Sequence, residues 1–249
     1  MPSAARASSL VGVRASSDHE LRSARGRVDG ITRAAFMVAV VVGLGAAYAA
    51  FTYVVRVGAL GPVDQTVAGW FEHIWWAPTF PLAEAIAVAA GVECMSALVA
   101  LLFLYLVWRR RWREAVALIV YPVALLIELL SRTFVERAAP DLGHAGHLTV
   151  AGTASSLDSS FPSGHVVRGM IVLGLLAVLA RRRAPVPWAR QLALPLAGVL
   201  VAMIAFDRLY LGVHWLSDVV GGVLLGGCGL AATMVAMHQG VLRQRSQRR

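Results

Sequence analysis

The chain contains no lysine; all 23 of its basic residues are arginine. Charged residues of both signs make up only 15% of its 249 residues, while 58% are hydrophobic. That shortage of charge excludes an ordinary soluble domain, in which about a quarter of residues are charged. Cysteine is equally scarce. Only Cys94 and Cys228 occur, each inside an apolar run, which excludes a disulfide framework and a cysteine-based metal site and leaves packing as their role. The formal net charge of +9 lacks aromatic-interleaved basic segments, so a nucleic-acid partner is not expected. A cleavable leader is not expected either. The first apolar run follows about 30 polar residues and is too long for a signal's apolar core, so it reads as a retained anchor.

What the chain has instead is apolar length. Several runs reach the roughly 20 residues that cross a hydrocarbon core, and lipid obliges such runs to satisfy their backbone groups as helices. The fold class is therefore all-α, a polytopic bundle of six transmembrane helices occupying residues 31–239. The spans are placed at Ala34–Val55, Leu82–Trp108, Glu114–Ser131, Val166–Ala180, Trp188–Phe206 and Trp215–Met237. Residues 1–30 read as a disordered tail and residues 240–249 as a short basic tail. After a break at Gly61-Pro62, Val63–Trp76 carries Trp70, Phe71, Trp75 and Trp76 and reads as a short interfacial helix.

The arginines orient the bundle. Arg109, Arg110, Arg111 and Arg113 join spans two and three; Arg181, Arg182, Arg183 and Arg190 join spans four and five; Arg243, Arg245, Arg248 and Arg249 close the chain. Six spans put all of these on one side, which the positive-inside rule makes cytoplasmic, with both termini. The host is expected to be a bacterial inner membrane. The opposite connections, Arg132–Gly164 and Asp207–His214, are unusually polar.

Three segments then converge on the extracytoplasmic side. Span three ends in Arg132-Thr-Phe-Val-Glu-Arg137-Ala-Ala139-Pro140. Span four opens with Pro162-Ser163-Gly164-His165, and Asp207-Arg208 precedes His214 and Asp218. Arginine forks match phosphate oxygens bidentately. A helix opening at Pro162-Ser163-Gly164 presents free N–H groups and a positive dipole end to an anion. His214 and Asp218, four apart, share one helical face, and a carboxylate on one imidazole nitrogen aims the other outward as a nucleophile. His165 can protonate a leaving oxygen. Such a site performs phosphoryl transfer and calls for no metal or other cofactor.

These segments resemble the signature motifs of the type 2 phosphatidic acid phosphatase superfamily, the lipid phosphate phosphatases. Pro-Ser-Gly-His is complete at 162–165, and Arg-x5-His-x3-Asp is matched by Arg208, His214 and Asp218. The resemblance covers roughly residues 82–237 and implies a role for each residue. His214 attacks phosphorus and becomes phosphohistidine, Asp218 orients it, and His165 acts as acid. Arg208, Ser163 and the Gly164 amide hold phosphate oxygens. The first motif departs from the family's Lys-x6-Arg-Pro: Arg132 takes the lysine position, and Ala139 stands where a phosphate-binding arginine belongs. Arg137 is the expected substitute. Asp207 replaces a usual serine, an unfavourable neighbour for phosphate unless it pairs with Arg208 or Arg137.

Other readings stay open. Arg132 can contact phosphate, snorkel to the interface or pair with Glu128 one turn back. Glu93 and Glu128 lie within spans, where acids are costly; Glu93 either lines a substrate cavity or bonds a neighbouring helix. His144 and His147 read as a solvated loop. Gly221, Gly222, Gly226 and Gly227 would let helices pack closely. The expected partners are the bilayer and a membrane lipid phosphate, of polyprenyl diphosphate or phosphatidate type; the oligomeric state is open. Alternatives are a phosphotransferase using the same histidine, and a non-catalytic transporter or scaffold.

Overall fold

The computed structural model describes residues 32, 34–140, 142 and 159–246, with side chains described up to Met237. The N-terminal tail and the His144/His147 pair lie outside the described residues. Helix α1, Ala34–Arg56, is followed by a turn at Gly58 and then by α2, Gly61–Ile74. Pro62 sits in the first turn of α2, so Gly61-Pro62 opens this helix. Its residues Val63, Trp70 and Ile74 are exposed, while Asp64 is buried.

Span two is broken. A short 3-10 turn, Ala77–Thr79, leads into α3, Phe80–Ala89, and the chain restarts at α4, Val92–Trp108. Gly91, in extended conformation, separates the pair. Span three is likewise divided into α5, Trp112–Ala117, and α6, Val120–Val135. The cause is Pro122, whose ring crowds the carbonyl four residues back, at Leu118. Helix α7 runs Gly164–Arg183, α8 Pro187–Tyr210 and α9 Leu216–Ser246. The last helix thus continues through most of the segment expected to be a basic tail.

Among the described residues, six stretches are long and apolar enough to cross a membrane: Ala34–Arg56, Ala77–Trp108, Trp112–Val135, Gly164–Arg183, Pro187–Tyr210 and Leu216–Met237. Most run a few residues further than the sequence suggested, which moves Arg132, Asp207 and Arg208 from loops onto final helical turns.

Helix α7 is the centre of the bundle, packed against α4, α6, α8 and α9. Its approach to α9 depends on missing side chains. A Cβ on Gly221 would sit 2.5 Å from the Phe161 ring, one on Gly222 2.8 Å from the Ser163 carbonyl, and one on Gly226 2.6 Å from Met170 Cβ. Gly227 meets only ordinary contacts at 3.8 Å, so three of the four expected glycines set the spacing.

At one end of the bundle Arg183 and Arg111 both pair with Glu114, at 2.7 and 3.4 Å, drawing two arginine clusters together. At the other end the C-termini of α6 and α8 meet the N-termini of α7 and α9, with α2 packed against α8 and α9. The polar segments gather there.

Candidate active site

The start of α7 is tied to the start of α9. Ser163, in extended conformation ahead of the helix, donates its N–H to the Asp218 carbonyl at 2.9 Å. The next N–H groups, of Gly164 and His165, belong to the first turn, where no helical carbonyl can receive them. Gly164 lies against the Glu128 carboxylate, and a Cβ there would fall 2.1 Å from Glu128 Oε1. His165 is partly exposed, its Nε2 3.5 Å from Arg208 Nη1.

Asp207 and Arg208 occupy the last turn of α8, both buried. Arg208 Nε donates to Asp207 Oδ2 at 3.1 Å, and Nη2 reaches the same oxygen. The unusual aspartate is thus paired, which meets the condition for tolerating it beside an anion. Beyond Leu211 the chain reverses at Gly212, whose φ of +65° and contact with Leu142 both demand glycine. That turn delivers His214 to the face where Asp218 waits.

His214 Nδ1 stands 3.5 Å from Asp218 Oδ2, an ion-pair contact longer than a full hydrogen bond. The same Oδ2 accepts the Trp215 N–H at 2.8 Å, which fixes the carboxylate. Nδ1 is thus the imidazole nitrogen turned to Asp218. Burial pushes the His214 imidazole below the usual histidine range; Asp218 opposes this, and the charges of Arg208 and Arg132 add to it.

Arg132 is held by Glu128 at 3.0 Å and by the Ser159 carbonyl at 3.0 Å. The anticipated pairing one turn back is therefore present. Glu128 also binds Arg168 at 3.2 Å, so one buried carboxylate anchors two cations beneath Gly164. Ser163 Oγ and Ser160 Oγ are buried beside them without a hydrogen-bond partner among the described residues.

Arg137 goes elsewhere than expected. Its Nη2 donates to Asp64 at 2.5 Å, its Nη1 donates to Ser217 Oγ at 2.5 Å, and Nη1 lies 3.7 Å from Asp218 Oδ1. Two carboxylates on that side draw the guanidinium behind the His214–Asp218 pair, where it also stacks over Trp215. Ala139 is exposed. Glu93, too, fits neither expectation: it is exposed in the first turn of α4, its carboxylate turned back toward Gly91, where an acid complements the helix dipole.

Sequence reasoning missed Arg168 and Asp64. Arg168 carried a signal, a lone cation within an apolar span. Asp64 carried none, being one acid in a Trp-rich amphipathic segment.

The model of the PAP2 superfamily matches residues 117–241, half the chain and the whole stretch from Arg132 to Asp218. The chain belongs to this superfamily and is an integral membrane protein. It is similar to phosphatidylglycerophosphatase B of Bacillus subtilis, at 30% identity over 120 residues, which are 48% of this chain and 55% of that protein. The matched stretch thus spans about half of that relative's length. A decaprenylphosphoryl-5-phosphoribose phosphatase of Mycobacterium tuberculosis is 33% identical over 164 residues, 64% of this chain and 80% of that protein. The crystal structure of a transmembrane PAP2-type phosphatidylglycerolphosphate phosphatase from Bacillus subtilis superposes with a TM-score of 0.65 at 21% identity. That likeness covers 82% of this chain and 96% of the other and concerns the fold.

Proposed function

We propose that the chain is a membrane lipid phosphatase that removes a terminal phosphate from a lipid headgroup through a phosphohistidine on His214. The observation that carries this reading is the meeting of His165, Arg208, His214 and Asp218 at one end of the bundle. His165 Nε2 is 3.5 Å from Arg208, and Asp218 backs His214.

His214 Nε2 attacks phosphorus in line with the lipid oxygen. The P–O bond to the lipid breaks, and His165 gives the departing oxygen its proton. Water then attacks the phosphohistidine, His165 takes up the water's proton, and phosphate leaves as His214 is restored. Arg208 and Arg132 bind the phosphate oxygens, with Ser163 Oγ and the Gly164 amide completing the cradle. A buried hydroxyl without a partner costs about 1–3 kcal/mol, and a phosphate oxygen removes that cost at Ser163. Arg137 is left out of the cradle, since Asp64 and Ser217 hold its guanidinium beside Asp218 Oδ1, behind the His214–Asp218 pair.

The substrates named for the two relatives carry their phosphate on a lipid, and a site at helix ends meets a phosphate at headgroup depth. The arginine clusters at the far end of the bundle support a site facing away from the cytoplasm, in a bacterial inner membrane. Purified protein in detergent should release phosphate from phosphatidylglycerol phosphate, phosphatidate or a polyprenyl phosphate in excess EDTA, and His214→Ala should not. Release that survives His214→Ala sinks the mechanism. Abolition by EDTA points to a metal enzyme, and transfer to a lipid acceptor without free phosphate points to a phosphotransferase.

A further inference from the structure

Asp64 accepts hydrogen bonds on both carboxylate oxygens, and it lies on α2, outside the three motif segments. It is 1% exposed. Its Oδ1 accepts the Ser217 N–H at 2.9 Å; its Oδ2 accepts Ser217 Oγ–H at 2.7 Å and Arg137 Nη2 at 2.5 Å. A plain helix cap explains the first bond, because Ser217 is in the opening turn of α9. It does not explain the other two. They hold a guanidinium whose Nη1 faces Asp218 Oδ1 at 3.7 Å, an oxygen with no hydrogen bond of its own. Arg137 is therefore shared between two carboxylates, close to Asp64 and further from Asp218.

We propose that Asp64 is a positioning residue for the nucleophile: by taking the closer share of Arg137, it preserves the negative charge of Asp218 for His214. The inference rests on the phosphohistidine reading above for its functional meaning. With Asp64 in place, two carboxylates share one guanidinium and the cluster behind His214 is anionic overall. Without that charge, Arg137 moves onto Asp218, the cluster becomes neutral, and the imidazole loses the field that counters its burial.

His214 faces charge from every neighbouring element. Asp218 comes from α9, Arg208 paired with Asp207 from α8, Arg132 from α6, and His165 from α7. Glu128 and Arg168 lie beneath, and Arg137 and Asp64 lie behind Asp218. Only the last two change partners when Asp64 is neutralised.

Two readouts test the idea, one independent of turnover. In protein labelled with 15N-histidine, with the His214 signal assigned by its loss in His214→Gln, Asp64→Asn should lower the midpoint of the His214 titration by at least half a pH unit. The acidic limb of the kcat/KM profile should move the same way, and kcat should fall about tenfold. In an Arg137→Met background, where no cation is left to move onto Asp218, the effect of Asp64→Asn on both should be clearly smaller. An unmoved His214 midpoint overturns the proposal, and so do losses that simply multiply in the double variant. Should Asp64→Asn not fold, Asp64→Ser carries the test, since it removes the charge and keeps an oxygen that can accept the Ser217 N–H. An unchanged midpoint there overturns the proposal equally. Wild-type protein that releases no phosphate would sink the phosphatase reading, while the titration still decides the role of Asp64.

Discussion

Glu128 and Gly164 touch so closely that the smallest side chain at position 164 would fall 2.1 Å from the Glu128 carboxylate. The contact places the anion that gathers Arg132 and Arg168 directly beneath the first turn of α7. Gly164→Ala must push that carboxylate away and loosen both arginines. Overpacking of this kind costs about 1–3 kcal/mol of stability. Phosphate release should fall at least a hundredfold, because the cradle and the amide are displaced together. Steady-state kinetics alongside a thermal melt in detergent would check this, and near-normal kcat in Gly164→Ala would refute it.

In the proposed mechanism Asp207 competes with phosphate for the donors of Arg208. Both Nε and Nη2 of that arginine already reach one aspartate oxygen. Asp207→Ser, restoring the usual residue of the motif, should free the fork and lower KM about three- to tenfold. The same change leaves a buried cation less compensated, so the melting temperature should drop. Removal of one member of a buried pair costs about 3–5 kcal/mol. A KM that rises along with the loss of stability would show that Asp207 supports binding.

Acid should weaken the fold through His214. Burial holds its folded-state affinity for protons below that of the unfolded chain, so the unfolded state binds more protons as pH falls. The contribution is fully present above the ordinary histidine range, near 6.5. It is lost progressively as pH drops from there toward the depressed value. Melting temperatures measured between about pH 7.5 and 5 should decline, and His214→Gln should flatten that decline. Parallel curves for the two proteins would exclude His214 as the source.

Ala139→Arg should not raise turnover. The position is exposed, and the neighbouring Ala138 carbonyl is engaged by the Trp215 indole N–H at 2.8 Å, so a long cation there extends into solvent. We expect kcat and KM within about twofold of wild type. A gain of tenfold would show that the first motif can be completed from this position.

Much of the site was legible because short-range geometry dictates it. His214 and Asp218 share a face through the helical repeat, and Pro162-Ser163-Gly164 opens a helix for local reasons. The alternation of apolar runs with arginine clusters marks six spans, and the ends of four of them bring His165, Arg208 and His214 together. What was not legible depends on docking. Arg137 was expected at the phosphate, but its partner Asp64 lies 73 residues away on a helix whose burial only tertiary packing defines. The breaks at Gly91 and beside Pro122 were likewise hidden, since hydropathy averages over them. Arg168 was visible as a cation in an apolar run, but its partner Glu128 lies 40 residues back on another helix and had a nearer candidate in Arg132.

The glycines that seat α9 against Phe161, Ser163 and Met170 have a bearing on how such a chain can diversify. Along that seam every position is already at contact, so drift toward a new substrate cannot begin there without first dismantling the cradle. The α1–α2 side is different. There a side chain at Gly61 would meet no atom within 4 Å among the described residues, and about 270 Å³ of space opens between Leu60, Gln65, Arg137 and Trp215. Descendants of this sequence would be free to lengthen side chains on that flank, and headgroup preference would change there long before the histidines did.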